Sequence, residues 1–96
     1  MISLPNTPEL KAVARRVIWF EKPDDALQNP IHFLTYLLTY GTHEDVKSVR
    51  KYLTDSELLY VLDNVAPGIM DPRSWSYWNL MLNRYPPPPM PVRQLP

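Results

Sequence analysis

The sequence contains no cysteine and only two glycines among its 96 residues. Without cysteine the chain forms no disulfide, no thiolate nucleophile and no cysteine-based zinc site. With two glycines it has no glycine-rich loop of the kind that cradles phosphate groups. The formal net charge is zero, which gives little support to non-specific nucleic-acid binding. These absences remove several classes of enzyme and favour binding as the activity.

Long apolar segments are also missing from the chain. No run approaches the roughly 20 residues that span a bilayer, and the N-terminus lacks the basic start and apolar core of a signal peptide. We therefore expect a cytoplasmic protein that does not enter a membrane. A chain of this length is expected to form one domain with one modest core.

Residue patterns typical of catalysis or metal binding are not found either. His32 and His43 lie eleven residues apart, on different predicted helices, and do not have the spacing of metal ligands. No serine lies in the sharp Gly-x-Ser-x-Gly turn of a nucleophile. The sequence therefore predicts no catalytic residue, no metal and no cofactor, and we expect the protein not to be an enzyme.

Short sequence patterns mark the start of each main predicted helix. Proline is favoured at the first position of a helix, and three prolines directly follow a capping residue, at Thr7-Pro8, Asn29-Pro30 and Asp71-Pro72. Thr42 and Thr54 begin two capping-box sequences, each with an acid three residues later. Apolar residues recur at helical spacing behind each start. The sequence predicts an all-α fold, a compact array of four to five short helices.

Three helix boundaries are less regular. The first helix is expected over about residues 8–20, and residues 24–28 are expected to form at most one short turn. The third segment, after Asn29-Pro30, is apolar on most sides and is expected to be the central helix. Gly41 is expected to end it by adopting the left-handed conformation.

The C-terminal end differs in composition from the rest, because six of the twelve prolines fall within residues 86–96. This divides the chain into a helical domain, residues 1–85, and a proline-rich tail, residues 86–96, that favours polyproline II. Pro88, Pro91 and Arg93 match the PxxPxR form of polyproline ligands.

Aromatic residues are the most informative feature, with three tryptophans in a short chain. One interpretation is that Trp19, Trp75 and Trp78 all anchor the core. The other is that some rings of the last helix are exposed and bind a protein partner, because one helix cannot bury apolar side chains on every face. The candidate partner-binding residues are Trp75, Trp78, Tyr85, Pro88, Pro91 and Arg93.

An alternative function is a helix-turn-helix regulator that binds DNA. The helix after Thr42 carries Lys47, Arg50 and Lys51, which could contact DNA from its outer face. Its first turn is acidic, however, and the next helix carries mainly acids. The same three basic residues would otherwise form an ordinary solvated face. A third possibility is self-association through exchange of the tail between chains.

Residues 15–82 resemble a family of short, uncharacterised bacterial proteins. The resemblance rests on Trp19, the apolar segment 33–38, Tyr40-Gly41, the segment 42–46, the apolar segment 58–62 and Ser76-Tyr77-Trp78. Members of that family resemble the small antitoxin-like partner of abortive-infection nucleotidyltransferase toxins. The resemblance implies an antitoxin-like role with a protein partner, and it supplies no catalytic residue. The proline-rich tail has no counterpart in that pattern.

Overall fold

A computed structural model describes residues 2–91 of the chain, in which every regular secondary-structure element is a helix. The helices are α1 Pro8–Val17, α2 Pro23–Leu27, α3 Pro30–Tyr40, α4 His43–Arg50, α5 Asp55–Asp63 and α6 Pro72–Met81. The prediction of an all-α fold is confirmed for this part of the chain. The described helices number six rather than four to five, because the segment predicted as a single turn forms α2.

Local capping explains where the helices begin. The side chains of Thr7, Thr42, Thr54 and Asp71 each accept a hydrogen bond from a backbone N–H in the first turn that follows. Both predicted capping boxes are formed. Asn29 makes no such bond, although α3 begins directly after it as predicted. Short-range chemistry therefore fixes the starts of four helices.

The third helix, α3, lies at the centre of the fold. It contacts α1, α2, α4, α5 and α6, and Phe33, Leu34 and Leu37 are fully buried on it. The prediction of a central apolar helix is therefore confirmed. Helices α4 and α6 both contact α3, but their backbones do not approach each other closely, and a groove lies between them.

Two helix ends differ from the sequence-based expectation. Helix α1 ends at Val17, and Ile18 leaves the helical conformation while its side chain stays buried. Trp19 and Phe20 therefore lie beyond the helix rather than on its inner face. Gly41 has φ −70° and ψ 151°, an extended conformation, so the left-handed end predicted there is wrong. Glycine is required because a Cβ at this position would lie 2.6 Å from the carbonyl oxygen of Leu37.

The chain reverses direction after α6. Asn83 adopts the left-handed conformation at φ 64°. The backbone N–H of Arg84 donates to the carbonyl oxygen of Asn79 at 2.7 Å, and that of Asn83 donates to Leu80 at 3.0 Å. This pair of bonds is a Schellman motif with asparagine in the place that glycine usually takes.

The described part of the tail returns to the helices. Met90 packs against the core cluster, and the carbonyl oxygen of Pro88 accepts a hydrogen bond from the last helix. None of the helices within residues 2–91 has both the length and the apolar character to cross a membrane.

Candidate partner-binding surfaces

The two tryptophans of α6 that were predicted to contact a partner lie inside the protein. Trp75 and Trp78 are only 5% and 6% exposed. The Trp75 indole Nε1 donates to the carbonyl oxygen of Pro88 at 2.8 Å, and Trp78 Nε1 donates to Leu38 at 2.8 Å. Both rings therefore anchor the core, and a partner would reach Trp75 only after displacing the tail. Their role in partner binding stays a prediction.

The other candidate partner-binding residues at the C-terminal end differ from the two tryptophans in exposure. Tyr85 is 76% exposed, Pro88 is exposed, and Pro91 is partly buried. Arg93, the last residue of the PxxPxR sequence, lies outside the described residues. The structure therefore brings Trp75 and Pro88 together, and the other predicted contacts of the tail stay predictions.

The basic residues of the DNA-binding alternative lie on and just after α4. The guanidinium of Arg50 contacts the carboxylate of Asp55 at 2.8 Å, and the ammonium of Lys51 lies 3.3 Å from the carboxylate of Glu9. Lys47 is exposed beside the groove between α4 and α6. Two of the three cations thus share their charge with nearby acids, which weakens the potential a phosphate would meet. DNA binding stays a prediction.

Four aromatic residues form a surface that sequence analysis did not identify, which we call the aromatic surface. Its members are Trp19, Phe20, Tyr36 and Tyr40. Neighbouring rings contact one another, with centroids 5.7, 5.5 and 5.9 Å apart along this series. Trp19 is 81% exposed and Tyr40 is 63% exposed. The rings, with Arg16 and Val17, line an open cavity of about 390 Å³.

Two structural elements position the aromatic surface. Tyr36 and Tyr40 lie one turn apart on the outer face of α3, and Trp19 and Phe20 follow the end of α1. The i, i+4 spacing of the two tyrosines could have been recognised in the sequence. The contribution of Trp19 could not, because it depends on α1 ending at Val17. The expectation that Trp19 anchors the core is wrong.

An ion pair between the buried Asp45 and the half-exposed Arg16 lies at the edge of the aromatic surface. Asp45 is buried in the first turn of α4 and accepts hydrogen bonds from the guanidinium of Arg16, with Nε 3.0 Å from Oδ1. Its other oxygen accepts from the backbone N–H of Thr42 at 3.2 Å. The hydrogen bond from Arg16 is the main cause that lowers the pKa of Asp45, and the bond from Thr42 adds to it. The pair joins α1 to α4.

The two histidines do not share a site. His32 Nε2 lies 3.1 Å from the carboxylate of Glu21, and its ring packs on Tyr36. His43 lines the groove between α4 and α6. Within residues 2–91, no three histidine, aspartate or glutamate side chains come together in a way that could hold a metal ion.

Comparison of the chain with known protein families, with curated protein sequences and with solved structures finds no match. Function must therefore be inferred from the surfaces themselves.

Proposed function

We propose that this protein is a non-catalytic protein-interaction module that binds its partner through the aromatic surface. The observation that carries this proposal is the 81% exposure of Trp19 beside two further exposed rings, Phe20 and Tyr40. Single exposed apolar residues are common and need no explanation. A contiguous group of rings in mutual contact is uncommon on a small monomer and is typical of a recognition site.

The chemistry of the aromatic surface suits a protein partner. Tryptophan and tyrosine are the residues most enriched among interface hot spots, because they combine a large apolar area with one polar group. Covering one such ring stabilises a complex by about 2 kcal/mol. Arg16 lines the same cavity and is held by Asp45, so a charged donor stands beside the rings in a fixed place.

The finer proposal is an antitoxin-like role. It is supported by the resemblance of residues 15–82 to small antitoxin-like bacterial proteins and by the absence of catalytic patterns in the sequence. The partner would then be a nucleotidyltransferase-type toxin, and the rings of the aromatic surface would insert into its surface. Trp19 and Tyr40 belong both to that resemblance and to the aromatic surface.

A binding experiment with matched tyrosines tests the proposal. The chain is co-expressed with a nucleotidyltransferase-type toxin, the class of partner that the resemblance implies, and the dissociation constant is measured for purified components. Trp19→Ala and Tyr40→Ala are each expected to weaken binding about tenfold or more, as hot-spot truncations do. Tyr60→Ala is the control, because Tyr60 is 53% exposed on α5, away from the aromatic surface.

Equal affinity of the wild-type chain, the Trp19→Ala variant and the Tyr40→Ala variant would reject the aromatic surface as the contact. Deleting residues 86–96 in the same assay tests the C-terminal prediction separately. A loss confined to the deletion would place the contact at the tail rather than at Trp19. Absence of binding by the wild-type chain would reject the antitoxin-like role with this class of partner.

A further inference from the structure

A second concave surface lies between α4 and α6. Two cavities of about 320 and 270 Å³ share four lining residues, His43, Val46, Tyr77 and Trp78, and therefore form one continuous groove. We call it the basic groove. The other residues that line it are Leu38, Gly41, Lys47, Arg50, Arg73, Ser74 and Met81. The groove lies between two helices that both pack on α3 and whose backbones stay apart.

The floor of the basic groove is apolar. Leu38, Val46 and Trp78 are buried residues whose outer edges line the groove. Tyr77 and Met81 form one wall, and each is about half exposed to water. Apolar area of this kind gains free energy when another apolar surface covers it.

The rim of the basic groove carries charge of one sign. Lys47 and Arg50 lie on the α4 side, and Arg73 lies on the α6 side. No aspartate or glutamate is among the residues that line the two cavities, although the chain has ten acidic and ten basic residues. Arg50 is paired with Asp55, which leaves Lys47 beside one cavity and Arg73 beside the other as the main cations of the groove. The groove is therefore apolar in its floor and positive at both edges.

We infer that the basic groove binds an acidic amphipathic helix of a partner protein. An apolar stripe on such a helix would cover Val46 and Trp78, while flanking carboxylates would meet Lys47 on one edge and Arg73 on the other. Helix α4 has eight residues, a length of about 12 Å, which matches about two turns of a bound helix. This inference does not depend on the aromatic surface, so either site can fail without the other.

The shape of the groove favours a peptide over nucleic acid. Base stacking requires a ring with an open face, whereas Trp78 is buried and its indole N–H is bound to Leu38. Val46, Leu38 and Met81 add aliphatic surface to the floor and wall, and the half-exposed ring of Tyr77 is turned edge-to-face against Trp78. Aliphatic side chains suit the leucines or isoleucines of an amphipathic helix and offer no base recognition.

A designed peptide provides the probe. It has about 16 residues, with leucine at i, i+3, i+4 and i+7 spacing and glutamate elsewhere, and carries a fluorescent label for anisotropy. The wild-type chain is expected to bind it with a micromolar dissociation constant that rises with added salt, because the rim charges are solvent-exposed. A peptide with lysine in place of every glutamate is expected not to bind.

Matched charge variants locate the binding. Lys47→Gln with Arg73→Gln is expected to weaken binding of the acidic peptide about five- to tenfold, since each variant loses one charge contact at the rim. Arg15→Gln with Lys22→Gln removes the same charge from exposed positions outside the groove and is expected to leave affinity unchanged. Tyr77→Ala is expected to weaken binding because it removes apolar area from the wall of the groove, and it is expected to leave the dependence on salt unchanged.

Three results would overturn the inference. One is no binding of the acidic peptide up to about 1 mM. Another is equal binding of the acidic and lysine peptides, or equal loss in the groove and control double variants, since either removes the role of the rim. The third is binding of a short duplex DNA that is lost in the Lys47→Gln, Arg73→Gln variant while the peptide does not bind, which would make the groove a nucleic-acid site.

Discussion

The two aromatic regions of this protein contain the same residue types in opposite environments. In α6, Trp75 and Trp78 are buried and each indole N–H donates to a backbone carbonyl. In the aromatic surface, Trp19 is 81% exposed and contacts Phe20 edge to face. The indole N–H groups of the first region find their hydrogen-bond acceptors within the chain, whereas most rings of the second region are exposed to water.

The difference arises from where each ring stands relative to a helix end. Trp75 and Trp78 lie inside α6, on faces turned to the tail and to α3. Trp19 lies two residues past the end of α1, so its side chain no longer follows the buried face of that helix. For these tryptophans, burial therefore follows from their position in the fold rather than from the residue type. An exposed tryptophan is then available for recognition.

The largest expected effect comes from truncating one tryptophan in each region. Trp78→Ala should lower the free energy of unfolding by about 3–5 kcal/mol, because it empties a filled core position and leaves the carbonyl of Leu38 without its donor. Trp19→Ala should change it by less than about 0.5 kcal/mol. Urea unfolding followed by circular dichroism measures both without relying on tryptophan fluorescence.

Comparable losses of stability in the Trp78→Ala and Trp19→Ala variants would contradict the contrast between the two regions. It would mean that the ring of Trp19 packs against the chain in solution. The aromatic surface would then be part of the core, and the proposed function would lose its contact.

The fold could be predicted from the sequence where local chemistry decides. Capping residues such as Thr42 and Asp71 act within three residues of the chain, so helix starts follow from short patterns. The end of α1 could not be predicted in this way, because Ile18 is buried after leaving the helix and tertiary packing holds it there. The role of Gly41 depends on a close approach to Leu37 rather than on a left-handed conformation.

The surfaces could be predicted only in part. Lys47 and Arg50 were recognisable as cations on one helix, but Arg73 is distant in sequence and lines the same groove only because α4 and α6 both contact α3. The aromatic surface likewise joins the end of α1 to the outer face of α3. Neither site is continuous in the chain. Long-range packing creates both sites, and the sequence pattern does not show which distant residues pack together.

The next prediction concerns the ion pair at the edge of the aromatic surface. Asp45→Asn should lower the free energy of unfolding by about 1–2 kcal/mol near neutral pH, because Asp45 both caps α4 and binds Arg16. The expected loss of stability is small because the side chain of Arg16 is half exposed, so water screens the ion pair. The substitution weakens the ion pair beside the aromatic surface and leaves the hydrogen bond of Trp78 in place.

The pH dependence of unfolding isolates the Asp45 carboxylate. Its pKa is lowered in the folded protein, chiefly by the hydrogen bond from Arg16. The unfolded chain therefore takes up a proton first as the pH falls, and the stability from Asp45 is lost below about pH 4. The stability of Asp45→Asn should depend less steeply on pH in that range, because the contribution of the Asp45 carboxylate is gone. Some dependence remains, because other acids such as Asp71 titrate in both proteins. Parallel profiles would show that folding does not lower the pKa of Asp45.

A smaller effect should come from the hydrogen bond between Trp75 and the tail. Trp75→Phe keeps a large ring but removes the indole N–H that donates to Pro88, and should cost about 1 kcal/mol. Deleting residues 86–96 removes the acceptor together with the packing of Met90. If the bond forms in solution, the deletion should cost less in the Trp75→Phe background than in the wild-type chain. Equal costs in a double-mutant cycle would show that tail and tryptophan do not interact.

The smallest expected effect concerns the turn that leads from α6 to the tail. Asn83 has φ 64°, a left-handed conformation. This conformation is unfavourable in free energy for a residue with a Cβ and nearly neutral for glycine. Asn83→Gly should therefore raise the free energy of unfolding by a few tenths of a kcal/mol, against the entropy that glycine adds to the unfolded chain. Asn64→Gly is the matched control, because Asn64 caps α5 with φ −124° and donates to the carbonyl of Tyr60. That variant should be destabilised by about 1 kcal/mol. If both variants lose stability equally, Asn83 is not left-handed in solution, and the tail need not return over Trp75.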